Sequence, residues 1–212
     1  MLVVGAKGMA KEVLELLIEN NINTKSNIVF FDNVNKDAPD LMYNQFKVLK
    51  TFDIVKELFE IDPNFVLGIG NPHLRQKMYD NFVSLGGNIM SVISKKSSIG
   101  SFGTTIREGS LIMPGVVITN DVNIGKGVLI NINSSVSHDC EIGDFSEIAC
   151  GVIVPGRCKI GKKVFIGSNA TINPDINIGD GAIIGAGAVV INDVSPHSVV
   201  VGNPAKFLKY TN

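Results

Sequence analysis

From residue 106 onward an aliphatic residue recurs at every sixth position without a break: Ile106, Ile112, Ile118, Ile124, Ile130, Val136, Ile142, Ile148, Val154, Ile160, Ile166, Ile172, Ile178, Ile184 and Val190. Every member is β-branched, which suits short extended strands. A helix would show apolar spacings of three and four, and simple hairpins would alternate about two-residue turns. A six-residue repeat instead makes one flat side of a prism, with a turn at each corner. Three sides close a coil of about eighteen residues, and coils stacked about 4.8 Å apart make a parallel β-helix. Ile93 and Ile99 keep the spacing one residue out of phase, so an extra residue is expected near "SFGTT" (101–105). Glycine often follows the aliphatic (Gly125, Gly143, Gly161, Gly167, Gly179, Gly185), as expected if it lets the corners turn tightly. Small residues four places on, among them Ser134, Cys140, Ser146, Cys158, Ala170, Ala182 and Ala188, read as fillers. Residues 88–194 would supply about six coils, on the order of 28 Å of prism.

The preceding residues follow another rhythm. "MLVVGA" is a short apolar strand ending in glycine. In "GMAKEVLELLIENN", Met9, Val13, Leu16 and Leu17 keep helical spacing, with Asn20–Asn21 near the stop. "NIVFFD" reads as a second strand ending in Asp32, "TFDIVKELF" as a helix capped by Thr51, and "NFVLGIG" as a third strand. Pro72 opens the helix "PHLRQKMYDNFVSLG", which Gly86–Gly87 closes. Strand and helix alternate as in a small, Rossmann-like parallel α/β domain; residues 36–47 are too irregular to assign. The expected organisation is an α/β domain over 1–87, a β-helix over 88–198 and a tail over 199–212.

Composition sharpens this division, since seven of the eleven phenylalanines lie before residue 88. A net charge of −1 with no clustered cations offers no electrostatic footprint for nucleic acid or an anionic membrane. No apolar run reaches membrane-spanning length and no signal-peptide pattern opens the chain. Cys140, Cys150 and Cys158 make an odd count without metal-type spacing, which suits a reducing compartment and a cytoplasmic protein. Cys140 and Cys158 stand one coil apart and read as stacked core residues.

Candidate chemistry lies in four places. "GAKGMA" (Gly5, Ala6, Lys7, Gly8, Met9) has the form of a glycine turn at a helix start, which can present N–H groups to a phosphate; it also suits an ordinary tight turn. Asp32 and Asn33, after the second strand, sit where nucleotide-binding α/β folds place ribose or base contacts, or else form a polar loop. Gly70 and Asn71, after the third strand, share the same sheet edge, and three such loops together suggest a ligand cleft. His73 and His197 read as solvated, so three scattered histidines give a metal site little support. His138 falls at or near a corner beside Asp139, with Asn120 and Gly156 as its coil neighbours. Spacing alone leaves it either a surface histidine or a group able to transfer a proton near neutrality.

The repeat, "HDCEIG" and the closing "VVVGNPAKFLK" together resemble the hexapeptide-repeat sugar acetyltransferases, in the branch with an N-terminal nucleotide-sugar-binding domain. That branch includes N-acetyltransferases of UDP-4-amino-sugars and O-acetyltransferases of sialic acid. The resemblance implies a left-handed β-helix and a homotrimer with active sites between subunits. It implies acetyl-CoA as co-substrate, no metal, and a UDP- or dTDP-4-amino-sugar acceptor for bacterial surface glycans. His138 matches the family's general base and Asp139 the acidic residue that orients its ring. Gly156, Ser168 and Ala186 match backbone contacts to acetyl-CoA, with Pro204 and Lys206 closing the groove. Two positions depart from the pattern. Met9 stands where many relatives place a histidine that contacts the sugar, and Asp32–Asn33 only approximates the acidic pair of the amino-sugar enzymes. Sialic acid O-acetylation is the near rival, a non-catalytic trimeric scaffold the distant one. A γ-type carbonic anhydrase would need three convergent histidines.

Overall fold

The computed structural model describes residues 1–22, 27–35 and 38–211. These fall into two compact units, one formed by Met1–Gly70 with Leu74–Val92, the other by Asn71–His73 with the residues from Ile93 onward. Among the described residues no helix is long and apolar enough to cross a membrane.

The first unit contains β1 (Leu2–Val4), α1 (Gly8–Glu19), β2 (Val29–Phe31), β3 (Leu41–Met42), β4 (Phe46–Leu49), α2 (Phe52–Phe59), β5 (Asn64–Leu67), α3 (Pro72–Ser84) from Leu74 onward, and β6 (Asn88–Ile89). The sheet order is β3-β4-β2-β1-β5-β6, parallel throughout except for β3 against β4. Helix α1 buries Ala10, Val13, Leu14, Leu16 and Leu17; of the stripe read from the spacing, Val13, Leu16 and Leu17 are in the core and Met9 is only half-buried. The phenylalanines concentrate here because they form the core: Phe82 packs 5.1 Å from Phe31 and 5.5 Å from Phe65, ring centre to ring centre. Thr51 does stand at the start of α2, but its side chain makes no capping hydrogen bond. The unassigned stretch holds the β3–β4 hairpin. Its turn places Tyr43 and Asn44 at φ +50° and +53°, and Gln45 N–H donates to Met42 O at 3.0 Å. That is the backbone of a type I′ turn without the Asn-Gly or Asp-Gly pair that marks one in a sequence. Lys36 and Asp37 of that stretch lie outside the described residues.

The second unit is a parallel β-helix with three faces. The first begins at Val92–Ile93, the second at Ser98–Ile99 and the third at Thr105–Ile106. Each aliphatic of the repeat stacks on its equivalent eighteen residues later, as Ile130 on Ile148 and Val136 on Val154. In the first coil Ile99 pairs with Ile118, nineteen residues on, while Ile106 pairs with Ile124; the extra residue therefore lies between 99 and 105, as expected. Ser198–Val201 extends the first face in parallel with Ile183–Ile184, then turns back into the antiparallel strand Lys206–Tyr210.

The corners turn at a different residue from the one expected. The left-handed backbone falls three places after the aliphatic, in every hexad from Gly109 to Gly187. Glycine, asparagine and aspartate hold eleven of these fourteen positions, and Phe145, Arg157 and Lys163 the rest. The glycine directly after the aliphatic has ordinary φ and serves close approach instead. A Cβ on Gly143 would lie 2.5 Å from the Gly161 carbonyl of the next coil. The small fillers also do more than fill: Ser134 Oγ donates to Ala149 O at 2.7 Å and accepts from Val152 N–H at 3.2 Å, tying successive coils together.

Because the neighbour of Gly143 is backbone, nothing can move aside for a methyl group. Gly143→Ala is expected to lower stability by about 2 kcal/mol, read as a fall in thermal midpoint. Lys163→Gly, which relieves a left-handed corner (φ +54°), should leave it unchanged or raise it.

Candidate active site

In the first unit the loops after β1, β2 and β5 open on one sheet edge, around β1, where chain connections diverge to either side. They enclose a cleft of about 390 Å³, a size suited to a small-molecule ligand. Of the residues singled out in the sequence, Gly5, Ala6, Lys7, Met9, Asp32, Asn33 and Gly70 line it. Gly8, the first residue of α1, and the exposed Asn71 are not in its lining. Gly5, at φ +112°, would place a Cβ 2.6 Å from Gly68 O, so the turn that forms the cleft floor needs its glycine. Helix α1 starts without a side-chain cap or an acidic residue in its first turn, which leaves its N-terminal partial charge for an anion.

The structure assigns Asp32 a role that the sequence did not suggest. It is 6% exposed, and its carboxylate accepts from Val34 N–H (3.1 Å), Asn35 N–H (2.9 Å) and Asn35 Nδ2 (2.6 Å). It shapes the wall of the cleft. Arg75 was missed altogether. Fully buried on α3, it donates to the carbonyls of Ile69 and Gly70 and so fixes the third loop. A spacing of 75, 78 and 82 on the buried side of α3 was the available signal.

In the second unit His138 and Asp139 occupy the corner between the second and third faces. Asp139 takes the left-handed position (φ +61°), and its Oδ2 lies 2.7 Å from His138 Nδ1. An ionised carboxylate only accepts, so this contact puts a proton on Nδ1, and in the neutral ring the lone pair is then on Nε2. The imidazole lies across Gly156 of the next coil: a Cβ there would fall 2.5 Å from Cε1 and 2.7 Å from Nε2. Phe145 covers Gly127 and His197 covers Gly181 in a similar way. Ring-on-glycine stacking is thus a general device of these corners, and the carboxylate is what sets His138 apart. His73 and His197 are exposed. Cys140 and Cys158 are fully buried; a hydrogen bond with Cys158 and then burial push the Cys140 thiol up.

On the same corner, one and two coils beyond Asp139, stand Arg157 and Asp175. Arg157 grips Asp175 with two hydrogen bonds, Nε to Oδ1 at 2.6 Å and Nη2 to Oδ2 at 2.9 Å. The pair holds the Asp175 carboxyl below its ordinary range and raises the Arg157 guanidinium. Ser168 and Ala186 are exposed on a different corner, between the first and second faces. The N–H groups of Gly156, Ser168 and Ala186 have no hydrogen-bond partner among the described residues. Pro204 and Lys206 are exposed in the terminal hairpin. Among the described residues no three His, Cys, Asp or Glu side chains converge as a metal site.

Comparisons with known proteins give both units relatives. The family described as PglD N-terminal domain matches residues 1–82, and that described as bacterial transferase hexapeptide (six repeats) matches residues 157–192. GDP-perosamine N-acetyltransferase of Escherichia coli O157:H7 is 33% identical over 148 residues, a match covering 68% of this chain but only 65% of that relative. The crystal structure of PerB from Caulobacter crescentus, in complex with CoA and GDP-perosamine, is 27% identical with a TM-score of 0.88, covering 98% of this chain and 96% of that one. The acetyltransferase domain of PglB from Neisseria gonorrhoeae FA1090, in complex with acetyl coenzyme A, is 29% identical with a TM-score of 0.87 and covers 98% of each chain.

Proposed function

The chain belongs to the hexapeptide-repeat transferases that carry a PglD-type N-terminal domain, and from that premise we propose that it is an acetyl-CoA-dependent N-acetyltransferase acting on a nucleotide-linked amino sugar. The observation that carries the reading is the His138–Asp139 pair, which sets the imidazole against Gly156, a residue whose N–H has no partner among the described residues. The acceptor amine attacks the thioester carbonyl carbon while Nε2 takes its proton. As the C–N bond forms and the C–S bond breaks, the proton passes from the imidazole to the departing CoA sulfur. The Gly156 N–H donates to the oxyanion that develops between these events. Asp139 balances the imidazolium, and no covalent enzyme intermediate is needed because the thioester is already activated. The cleft of the first unit holds the nucleotide sugar, with Lys7 and the first turn of α1 toward its phosphates and Met9 facing the sugar. Both substrates being metabolites of the cytoplasm, we place the enzyme there, in the synthesis of surface glycans.

We further propose that the active site is assembled in a homotrimer. Within one chain His138 and the acetyl-CoA positions Ser168 and Ala186 lie on two different corners, and both corners border the second face. That face carries exposed Val117 and Ile153 (42% and 49%) beside Ser135, Thr171 and Val189, whereas the third face carries Thr105, Asn123, Glu141, Lys159 and Asn177. Packing second faces together would cover the apolar side and bring one chain's His138 corner to another's Ser168 corner. Ile153→Lys is therefore expected to reduce the mass measured by light scattering from three chains to one and to abolish turnover. A variant that stays trimeric and active would overturn this arrangement.

The test of the activity is incubation with acetyl-CoA and UDP-, dTDP- or GDP-linked 4-amino sugars, following thiol release and the mass of the sugar product. Sialic acid in a parallel reaction examines O-acetylation. Product from neither class would sink both readings and favour a scaffold.

A further inference from the structure

We propose that Asp175 is a positioning residue for the His138–Asp139 pair: by gripping Arg157 it keeps that guanidinium away from Asp139 and so leaves the Asp139 carboxylate to the imidazole. The proposal rests on the reading of His138 as the base.

Asp139, Arg157 and Asp175 occupy the same corner position in three successive coils, each with left-handed backbone at φ +61°, +64° and +65°. Coils in register repeat about every 4.8 Å, so side chains leaving equivalent backbone positions form a ladder. The backbone is tied in the same order: Arg157 N–H donates to His138 O at 2.9 Å and Asp175 N–H to Gly156 O at 3.2 Å. A cation on the middle rung therefore has a carboxylate on either side. The two rungs differ in what else they hold. Asp139 is bonded to the His138 ring, while Asp175 meets the guanidinium through both of its oxygens. A two-point Arg–carboxylate contact is the stronger and more directional of the available pairings.

Arginine at position 157 gives a second reason to look for a role. The left-handed backbone disfavours long side chains, and eleven of the fourteen equivalent corners carry glycine, asparagine or aspartate. Corner geometry alone does not call for an arginine one coil from the candidate base. Without Asp175, the nearest carboxylate to receive it is Asp139. A guanidinium paired there would compete with Nδ1–H for the same oxygens, and a neutral imidazole without an Nδ1 partner shifts toward the tautomer with its proton on Nε2. That tautomer has no lone pair on the side where the acceptor amine must lose its proton. The charged or titratable side chains along this corner are Asp121, His138, Asp139, Arg157, Asp175 and Asp193, the last of which accepts from Asn177, with the thiols of Cys140 and Cys158 inside.

The test uses the full 15N-labelled chain and three proteins: wild type, Asp175→Asn and the double variant Arg157→Asn/Asp175→Asn. Asparagine suits the left-handed backbone at both positions, and thermal midpoints verify folding. The His138 signals are identified by their loss in His138→Ala. In the wild type the ring nitrogen shifts should report the proton on Nδ1. In Asp175→Asn they should move toward the Nε2–H tautomer, and kcat should fall about tenfold, with KM for acetyl-CoA unchanged. Removing the arginine as well should return both readouts to the wild-type values. Ring signals that do not move in Asp175→Asn, or that fail to recover in the double variant, would overturn the proposal. If the tautomer responds as expected while turnover ignores it, the positioning role stands and His138 loses its assignment as base.

Discussion

His138→Ala should lower kcat by about a thousandfold, within the range over which a positioned proton acceptor contributes to catalysis. Its side chain is about half exposed (55%) and its main partner is its own neighbour, Asp139. The thermal midpoint should therefore stay within a degree or two of wild type. Binding of a nucleotide sugar, detected as thermal stabilisation, should persist because the cleft residues belong to the other unit. Thiol release at saturating acetyl-CoA measures the loss. Turnover that survives unchanged would remove His138 from the mechanism; a wild-type protein with no turnover on any amino sugar would favour the scaffold.

Gly156→Ala should produce nearly as large a loss by moving the ring rather than deleting it. The backbone of Gly156 is not left-handed, so alanine fits the chain itself. The new Cβ, however, would occupy space 2.5–2.7 Å from Cε1 and Nε2 of the imidazole. A half-exposed ring can swing outward at little cost, and we expect less than about 1 kcal/mol of destabilisation. The displaced ring loses its bond to Asp139, and the methyl group crowds the N–H proposed to receive the oxyanion. A fall in kcat of about a hundredfold is expected. His138→Ala/Gly156→Ala should then be hardly worse than His138→Ala alone, since both changes remove one unit of function. If the two losses multiply, the glycine acts independently of the ring.

The repeat was legible because a β-helix writes its tertiary contacts into the sequence at a fixed interval. Residues eighteen apart are neighbours, so Cys140 on Cys158 and His138 beside Gly156 followed from counting. The same counting would have found the Asp139–Arg157–Asp175 ladder, had corner positions been read like core positions. The α/β unit keeps no such interval. Its strands and helices could be read from apolar spacing, but the β3–β4 hairpin turned through Tyr43 and Asn44, whose left-handed backbone the sequence does not announce. Arg75 was missed because burial of a guanidinium depends on where the carbonyls of Ile69 and Gly70, in the loop just before α3, point in the folded chain, which residue types do not record. Asp32 was placed at the right edge of the sheet, where it lines the cleft, but its bonds to Val34 and Asn35 of its own loop could not be read from the pattern.

By itself the sequence determined the β-helix, its coil length and the one-residue slip, because β-branched residues at a six-residue interval can bury their side chains together only in stacked coils. It also determined that a parallel α/β unit precedes it. The tertiary structure decided what periodicity cannot carry: which residue turns each corner, which glycines serve close approach, and which nitrogen of His138 is left free. Those depend on where backbone and side-chain atoms of different coils meet within a few tenths of an ångström. A pattern of residue types fixes the neighbours; only the folded chain fixes the contact between them.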